Sequence, residues 1–378
     1  MAVRQRRTCS REYAKTQRGI LLRCFVPSRG VSRLALLTVC FLAGSAAAQT
    51  EYVDRVVLQG TTASSRVTMQ CEILDYNGER IVFRTATTKT EQRFPASQVV
   101  TVKTRRMPPH NRGLDHLKAG KLPQAEAELS QALNEEPRRW VRREIRADLI
   151  RCCLQQCEYG KAGNHFRWLY DEDPETRHVR LIPLVWDNVA VNEESIVIAA
   201  AWLQDKKSVM RLIGASLLLD DRNYGEAAKD TLRALAKEPG KRVRLLAGWQ
   251  ERRLKLRNGE VTDLEMTRLE TLVEELETDL RPGPWYLVGR AHVIRQEFDL
   301  ASAAFLRLPI SHNTDHPMTP RAMFNAARAL EQIGFRNQSR RLDQEVIDRY
   351  AWSPAARLSR QAVQQPVRRP ATDKPSTE

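Results

Sequence analysis

The stretch NRGLDHLKAGKLPQAEAELSQALNEEP, residues 111–137, has the pattern of two short helices joined by a tight turn. Small residues stand where the helices would cross, a glycine separates the two apolar runs, and a proline ends the stretch. Two helices approach closely only where the side chains between them are small, and proline ends a helix because it lacks the backbone N–H. The stretch therefore predicts an antiparallel helical hairpin, with its packing, turn and stop positions at Gly113, Gly120, Ala125, Ala132 and Pro137.

The same arrangement returns three more times along the chain. In each copy an aromatic residue or a leucine stands three residues before an alanine, and in three of the four copies a proline follows that alanine by twelve residues. A weaker fifth copy spans residues 323–339. The second, third and fourth copies predict packing positions at Tyr159, Ala162 and Pro174, then at Tyr224, Ala227, Ala234 and Pro239, then at Gly289, Phe298 and Ala301.

These copies resemble the tetratricopeptide repeat, a helical hairpin of roughly 34 residues that stacks on its neighbours. The two wider gaps between copies each leave room for one degenerate hairpin, near residues 190–210 and 242–280. We therefore expect a mainly α fold, an α-solenoid of about five to seven hairpins over residues 107–358. The resemblance implies a non-enzymatic scaffold that binds another protein in its groove.

Residues 1–48 have the composition of a signal peptide. The apolar run at residues 34–44 is too short to span a membrane comfortably, and the small residues 45–48 form a cleavage-like site before Gln49. We expect export, to the periplasm or beyond the cell, with no transmembrane segment after cleavage. The basic stretch before the run is long for a signal peptide, so a true translation start near residue 31 is an alternative. Lipidation at Cys40 and retention as an uncleaved anchor are others.

The charge of the chain depends on this leader. The full sequence has 61 Lys and Arg against 46 Asp and Glu, a net charge of +15, and residues 1–48 hold nine of the bases and one of the acids. The remainder therefore has a net charge of +7. Because this excess is modest, nucleic acid is an unlikely partner, and an anionic envelope polymer or a protein surface fits better.

Between the leader and the repeats, residues 49–106 have the pattern of a small β domain. Val67, Met69, Cys71 and Ile73 alternate with polar residues, as in a half-buried strand, and an Asn-Gly pair follows at residues 77–78. Four or five short strands are predicted, in a layout that resembles a small SH3-like or Sm-like barrel. This domain either caps the solenoid or binds a ligand. At the other end, residues 359–378 are rich in Pro, Gln, Arg and Ser and predict a disordered tail.

The sequence contains no catalytic, phosphate-binding or metal-binding motif, so we expect no enzymatic activity and no cofactor. His312 and His316 flank Asp315, but no third metal ligand stands near them, and a solvated loop is the better interpretation.

The four cysteines after residue 48, and four of the tryptophans, are predicted to pack in the core. Cys152, Cys153 and Cys157 fall on one predicted helix, where a disulfide between residues four apart would be strained. Together with Cys71 they are better explained as small buried apolar residues, although an exported protein could form disulfides. Trp140, Trp168, Trp202 and Trp285 are expected to be packing residues, with ligand stacking as the alternative.

The resemblance also implies a set of groove residues. In tetratricopeptide arrays, the residue after the small position of each first helix points into the groove, and this chain has Arg151, Arg290 and Arg328 there in three copies. Guanidinium groups bind carboxylates and phosphates in bidentate fashion. The alternative is that these arginines are solvated or paired with nearby acids.

We therefore predict an exported scaffold or adaptor that mediates protein–protein interaction in a cell-envelope assembly. The first alternative is a binding module for anionic cell-wall or surface polymer. The second is a non-catalytic subunit of an envelope enzyme complex. Binding of a polymer by arginines should weaken steeply as salt rises, whereas a groove filled by a partner's helix should not depend on salt in this way.

Overall fold

The computed structural model describes residues 54–60, 65–188, 191–259, 261–311 and 316–364. The predicted signal peptide at residues 1–48 and residues 365–378 of the predicted tail lie outside the described residues. The prediction of a mainly α fold preceded by a small β domain is confirmed. Among the described residues, no helix combines the length and hydrophobicity needed to cross a bilayer.

An antiparallel sheet of five strands precedes the helices. The strands are β1 (Asp54–Gln59), β2 (Arg66–Tyr76), β3 (Arg80–Thr85), β4 (Glu91–Pro95) and β5 (Val99–Lys103), in the spatial order β4-β3-β2-β1-β5. The predicted turn joins β2 to β3, where the Asn77 side-chain oxygen accepts hydrogen bonds from the backbone N–H groups of Glu79 and Arg80. Because β1 pairs with both β2 and β5, the last strand lies beside the first.

Fourteen α-helices follow in the part of the chain that the structure describes. They are α1 (Pro108–Lys118), α2 (Leu122–Glu135), α3 (Arg139–Gln155), α4 (Tyr159–Glu172), α5 (Glu193–Trp202), α6 (Ser208–Leu218), α7 (Gly225–Leu235), α8 (Lys241–Arg257), α9 (Asp263–Glu274), α10 (Pro282–Ile294), α11 (Phe298–Ser311), α12 (Thr319–Gln332), α13 (Arg336–Arg349) and α14 (Pro354–Gln364).

Six of the fifteen predicted packing positions are buried, whereas the stop positions Pro137, Pro174 and Pro239 are exposed. A Cβ placed on Gly113 would lie 2.7 Å from Cγ of Leu129, and one on Gly289 would lie 2.6 Å from Cδ1 of Phe305, so only glycine permits these two helix contacts. The predicted alanines of the first, second and fourth copies are fully buried: Ala125, Ala132, Ala162 and Ala301.

The third copy differs from its predicted register. Tyr224, Ala227 and Ala234 are exposed, and the buried face of α7 is formed one residue later by Ala228 and Leu235. The cause is the preceding turn, in which the Asp221 side chain accepts hydrogen bonds from the backbone N–H groups of Asn223 and Tyr224. The helix therefore begins at Gly225, and the alignment to the other copies is wrong by one position.

The two gaps in the repeat pattern are filled in different ways. The second contains α8 and α9, and Thr262 caps α9 in a reciprocal capping box with Glu265. The first contains the single helix α5, preceded by an irregular stretch in which residues 179–181 form one 3₁₀ turn. Residues 182–188, which we call the inner segment, belong to this stretch and follow no helical pattern.

The sheet shares a hydrophobic core with α2 and α3. The indole N–H of Trp140 donates a hydrogen bond to the carbonyl oxygen of Ile73 over 3.1 Å, and Arg143 forms an ion pair with Asp75. At the end of the hairpin, the Gly78 N–H donates to the Asp173 carboxylate over 2.9 Å. The sheet is therefore fixed to the first two helical hairpins by apolar and polar contacts together.

The C-terminal boundary also differs from the prediction. Residues 359–364, expected to begin a disordered tail, form the last part of α14. Ser359 is completely buried and donates a hydrogen bond over 2.7 Å to the Asp343 carboxylate of α13. This buried hydrogen bond and the buried face around Ala356 hold the helix in place despite its polar composition.

The two ends of the helical array meet at Trp352, which lies between α13 and α14. Its side chain packs against the cluster formed by Leu122, Ala125 and Cys152 in the first two hairpins. It also covers Gly120, whose φ is +69° and where a Cβ would lie 2.6 Å from Cδ1 of Trp352. Gly120 is therefore required by its backbone conformation and by this contact.

We expect Gly120→Ala to destabilise the protein more than Gly334→Ala. Gly334 has a φ of +84° in the turn between α12 and α13, but a Cβ there meets no described atom within 4 Å. The left-handed conformation alone costs alanine about 1–2 kcal/mol, whereas overlap with Trp352 adds about 1–3 kcal/mol. Chemical unfolding of the two variants measures this difference. Equal losses of stability would show that Trp352 does not rest on Gly120.

Candidate functional site

The inner segment is held by a buried arginine of α8. The guanidinium group of Arg253 donates to the carbonyl oxygens of Val185 and Ser216 over 2.5 and 3.2 Å. It also pairs with the Asp220 carboxylate at 3.1 Å. Burial lowers the pKa of Arg253 to about 10, which still leaves it charged at neutral pH. Arg253 therefore fixes the inner segment against α6 and α8.

A second set of bonds fixes the same segment. The backbone N–H of Val185 donates over 2.9 Å to the Ser216 hydroxyl, which in turn donates over 3.0 Å to the Gln250 side chain. Next in sequence, the Trp186 ring lies directly over Gly283, where a Cβ would come within 2.1 Å of the indole. The hydrogen bond at Val185 and the packing of Trp186 on Gly283 together fix the position of residues 186–188.

Asp187, at the end of the inner segment, is the centre of a charge cluster. Its carboxylate accepts hydrogen bonds from Arg290 and from Arg321, each over 2.7 Å. Burial alone would raise the pKa of Asp187, but Arg321, a hydrogen bond from Tyr286 and then Arg290 hold it below its usual value. The Tyr286 hydroxyl in turn accepts a bond from Asn325 over 2.9 Å. Asp187 is therefore ionised and fully engaged at neutral pH.

A cavity of about 410 Å³ opens beside the inner segment. We call it the apolar chamber, because most of the side chains that face it are apolar, among them Tyr159, Leu184, Trp186, Leu280, Met318 and Trp352. Its walls come from the turn before α4, the inner segment, the starts of α10 and α12, and the turn before α14. A volume in the range of about 300–1,000 Å³ with apolar walls and few polar groups is typical of a ligand site.

Two further cavities adjoin the apolar chamber. One, of about 360 Å³, shares Asp187, Asn188 and Arg321 with it. The other, of about 350 Å³, shares Gln155, His316 and Trp352 with it. We call these three adjoining cavities the inner cleft.

The structure places all three predicted groove arginines on the inner cleft. Arg290 and Arg328 line the 360 Å³ cavity together, and Arg151 lines the 350 Å³ cavity. Each is paired with an acid of the same chain: Arg151 with Asp148, Arg290 with Asp187, and Arg328 with Asp343 and Glu331. The three arginines thus line the two cavities that adjoin the chamber, and each is already ion-paired with a carboxylate.

Sequence reasoning missed the residues that organise the cleft. Asp187 and Asn188 lie outside the repeat pattern, and Arg321 and Trp352 occupy positions to which the repeat assigns no role. The sequence offers one charged residue in WDN, residues 186–188, and one in TPR, residues 319–321. Neither stretch indicates that these two residues form an ion pair. Asp187 and Arg321 are 134 residues apart in sequence.

The other predicted residues have mainly packing roles. Trp140, Trp202 and Trp285 are buried, and Trp168 lies under the Arg146 guanidinium at 3.9 Å. His316 lines the apolar chamber, whereas His312 and Asp315 lie outside the described residues. Across the described ranges, no group of three or more His, Cys, Asp or Glu side chains is placed to hold a metal ion.

The cysteines fall into two environments. Cys71, Cys152 and Cys153 are buried, and burial raises the pKa of each thiol to about 12. Cys157 is partly exposed and faces the apolar chamber, and burial raises its pKa as well. All four are free thiols in this structure.

No protein-family model matches the chain, and its sequence matches no curated protein significantly.

We expect Cys157 to react with iodoacetamide at least tenfold faster than Cys71, Cys152 or Cys153 at mildly alkaline pH. The buried thiols are poorly reached by reagent and contain almost no thiolate below a pKa of about 12. Peptide-resolved mass spectrometry of the full chain gives the four rates, and guanidinium-unfolded protein is the control in which they converge. A Cys152 or Cys153 rate equal to that of Cys157 would contradict the burial described.

Proposed function

We propose that this protein is an exported, non-enzymatic scaffold of the tetratricopeptide type that binds a partner protein in the inner cleft, within an assembly of the cell envelope. The observation that supports the binding role is the cleft itself, three adjoining cavities lined by residues from seven separate parts of the chain. The proposed export depends on the sequence of residues 1–48.

Local helix contacts support the proposal that the helices are repeats of the tetratricopeptide type. The glycine and alanine contacts of the first, second and fourth copies follow the spacing of the repeat, although the third copy deviates from it. Helical-hairpin arrays present extended inner surfaces that suit polypeptide partners. A scaffold and a non-catalytic subunit of an enzyme complex would use this surface in the same way.

The ion pairs that engage the arginines of the cleft favour a protein partner over an anionic polymer. A polymer site needs arginines that are free to meet ligand phosphates or carboxylates, and here Arg290 and Arg321 share Asp187. Arg328 and Arg151 have their own carboxylate partners. A polymer would have to displace these internal pairs, whereas an apolar ligand leaves them intact.

We expect Met318→Trp to weaken capture of the partner, because the larger side chain occupies part of the apolar chamber that Met318 lines. The experiment is affinity capture from envelope extract with the full chain. Leu264→Trp, on the exposed side of α9 at 60% exposure, introduces the same residue outside the cleft and should capture normally.

Capture should also change little as salt rises, because apolar burial supplies the binding energy. Circular dichroism and thermal unfolding establish that both variants fold. Unchanged capture by folded Met318→Trp would contradict binding in the cleft, and a steep loss of capture with salt would favour the polymer alternative.

A further inference from the structure

We infer that the solvent-facing side of the sheet is a second binding site, which takes a linear polymer that carries carboxylate or phosphate groups and no bases. We call this side the outer face, because it is opposite to the core that the sheet shares with α2 and α3. The site lies outside the inner cleft and goes beyond the proposed function. Its charge, the placement of that charge and the chemistry of its uncharged side chains support it.

The pairing of the strands shows which side chains share the outer face. In β1, every second residue is buried in the core, and the residues between them lie on the opposite side. Arg55 is one of these, and its cross-strand partners are Gln70 of β2 and Lys103 of β5. Gln59, further along β1, pairs with Arg66. Followed across the five strands, the basic residues of the outer face are Arg55, Arg66, Arg80, Arg84, Arg93 and Lys103.

The outer face has a surplus of positive charge. Its acids in the described strands are Glu72 and Glu91, and each forms an ion pair with an arginine of the same face, over 3.1 and 2.8 Å. A third acid, Asp75, lies beside the irregularity in β2 and pairs with Arg143 of α3. Six bases against Glu72 and Glu91 leave a net charge of +4. The bases with no carboxylate partner among the described residues are Arg55, Arg66, Arg80 and Lys103.

The placement of these bases favours an anionic ligand that is extended. Arg55 and Lys103 lie directly opposite each other on β1 and β5, where like charges destabilise a sheet unless an anion lies between them. Arg66 lies opposite Gln59, four residues along β1 from Arg55, which corresponds to about 13 Å of strand. A compact anion meets one of these places, whereas a chain with repeated anionic groups meets both.

The uncharged side chains of the outer face suit a polymer without bases. Thr68 and Gln70 are exposed there and offer hydrogen bonds to hydroxyl or phosphate oxygens. The aromatic side chains of the described strands, Tyr76, Phe83 and Phe94, all pack on the other side of the sheet. Single-stranded nucleic acids bind largely by stacking their bases on aromatic side chains. The described strands therefore provide the charge for a polyanion but no aromatic surface for bases.

The test is binding of the full chain at low salt to polygalacturonate, which carries carboxylates, to polyphosphate and to neutral dextran. We expect both polyanions to bind and dextran not to bind. The triple variant Arg55→Gln, Arg66→Gln and Lys103→Gln should bind the polyanions at least tenfold more weakly, because arginine and lysine supply the charge-assisted hydrogen bonds. If only one polyanion binds, it identifies which anionic group the site prefers.

The matched control removes three positive charges elsewhere. Lys237→Gln, Arg336→Gln and Arg340→Gln change exposed residues of the helical region, so the net charge falls by the same amount. This control should bind the polyanions within about threefold of the unmodified protein, because long-range attraction alone is screened within about 10 Å at 0.1 M salt. Equal weakening by the two triple variants would show that only net charge matters and would overturn the inference.

Thermal unfolding separates lost binding from lost structure. The sheet variant should be at least as stable as the unmodified protein, because it removes the repulsion between Arg55 and Lys103. Binding of the unmodified protein should also weaken at least tenfold between about 50 and about 200 mM salt, since polyanion binding releases counterions.

Failure of both polyanions to bind would overturn this inference, and so would tighter binding of polyuridylate than of polyphosphate. These outcomes leave the proposed function untouched, because the sheet variant is expected to capture the partner of the inner cleft normally. In the same way, Met318→Trp should bind the polyanions like the unmodified protein, so unchanged capture by Met318→Trp would remove the proposed function and leave this inference standing.

Discussion

The inner cleft depends on one buried guanidinium group. Arg253 is 7% exposed and binds the carbonyl oxygens of Val185 and Ser216, the Gln250 side chain and the Asp220 carboxylate. An arginine can meet this many acceptors at once because its donors project in a fixed planar fork. The inner segment forms no helix or strand, so these bonds take the place of regular backbone pairing. They set the positions of Trp186 and Asp187, and with them the walls of the chamber.

The same segment determines how charge is used in the cleft. The inner segment places Asp187 beside α10 and α12, where Arg290 and Arg321 both donate hydrogen bonds to its carboxylate. Half-buried arginines without such a partner would attract anions of many kinds. The single carboxylate of Asp187 offsets one of these two positive charges and holds both guanidinium groups in place.

The parts of the fold that the sequence predicts are those with local causes. Gly113 and Ala125 indicate a helix crossing, and the alternation around Cys71 indicates a strand. The predicted register of α7 was wrong because the turn at Asp221 shifts the start of the helix by one residue. The spacing of the repeat does not reveal this shift. The predicted start of the disordered tail was wrong because composition does not reveal the buried hydrogen bond between Ser359 and Asp343. The cleft could not be foreseen, since Asp187 and Arg290 are 103 residues apart.

Hydrogen exchange at the Val185 backbone amide tests the central claim, that bonds from Ser216 and Arg253 hold the inner segment rigidly. In the full-length protein we expect this amide to exchange as slowly as amides in the centre of α6, because its N–H donates to the buried Ser216 hydroxyl. In Arg253→Met, which removes the guanidinium group, exchange should rise well above that of α6. Fast exchange at Val185 in the unmodified protein, at the rate of an exposed turn, would contradict a preformed cleft.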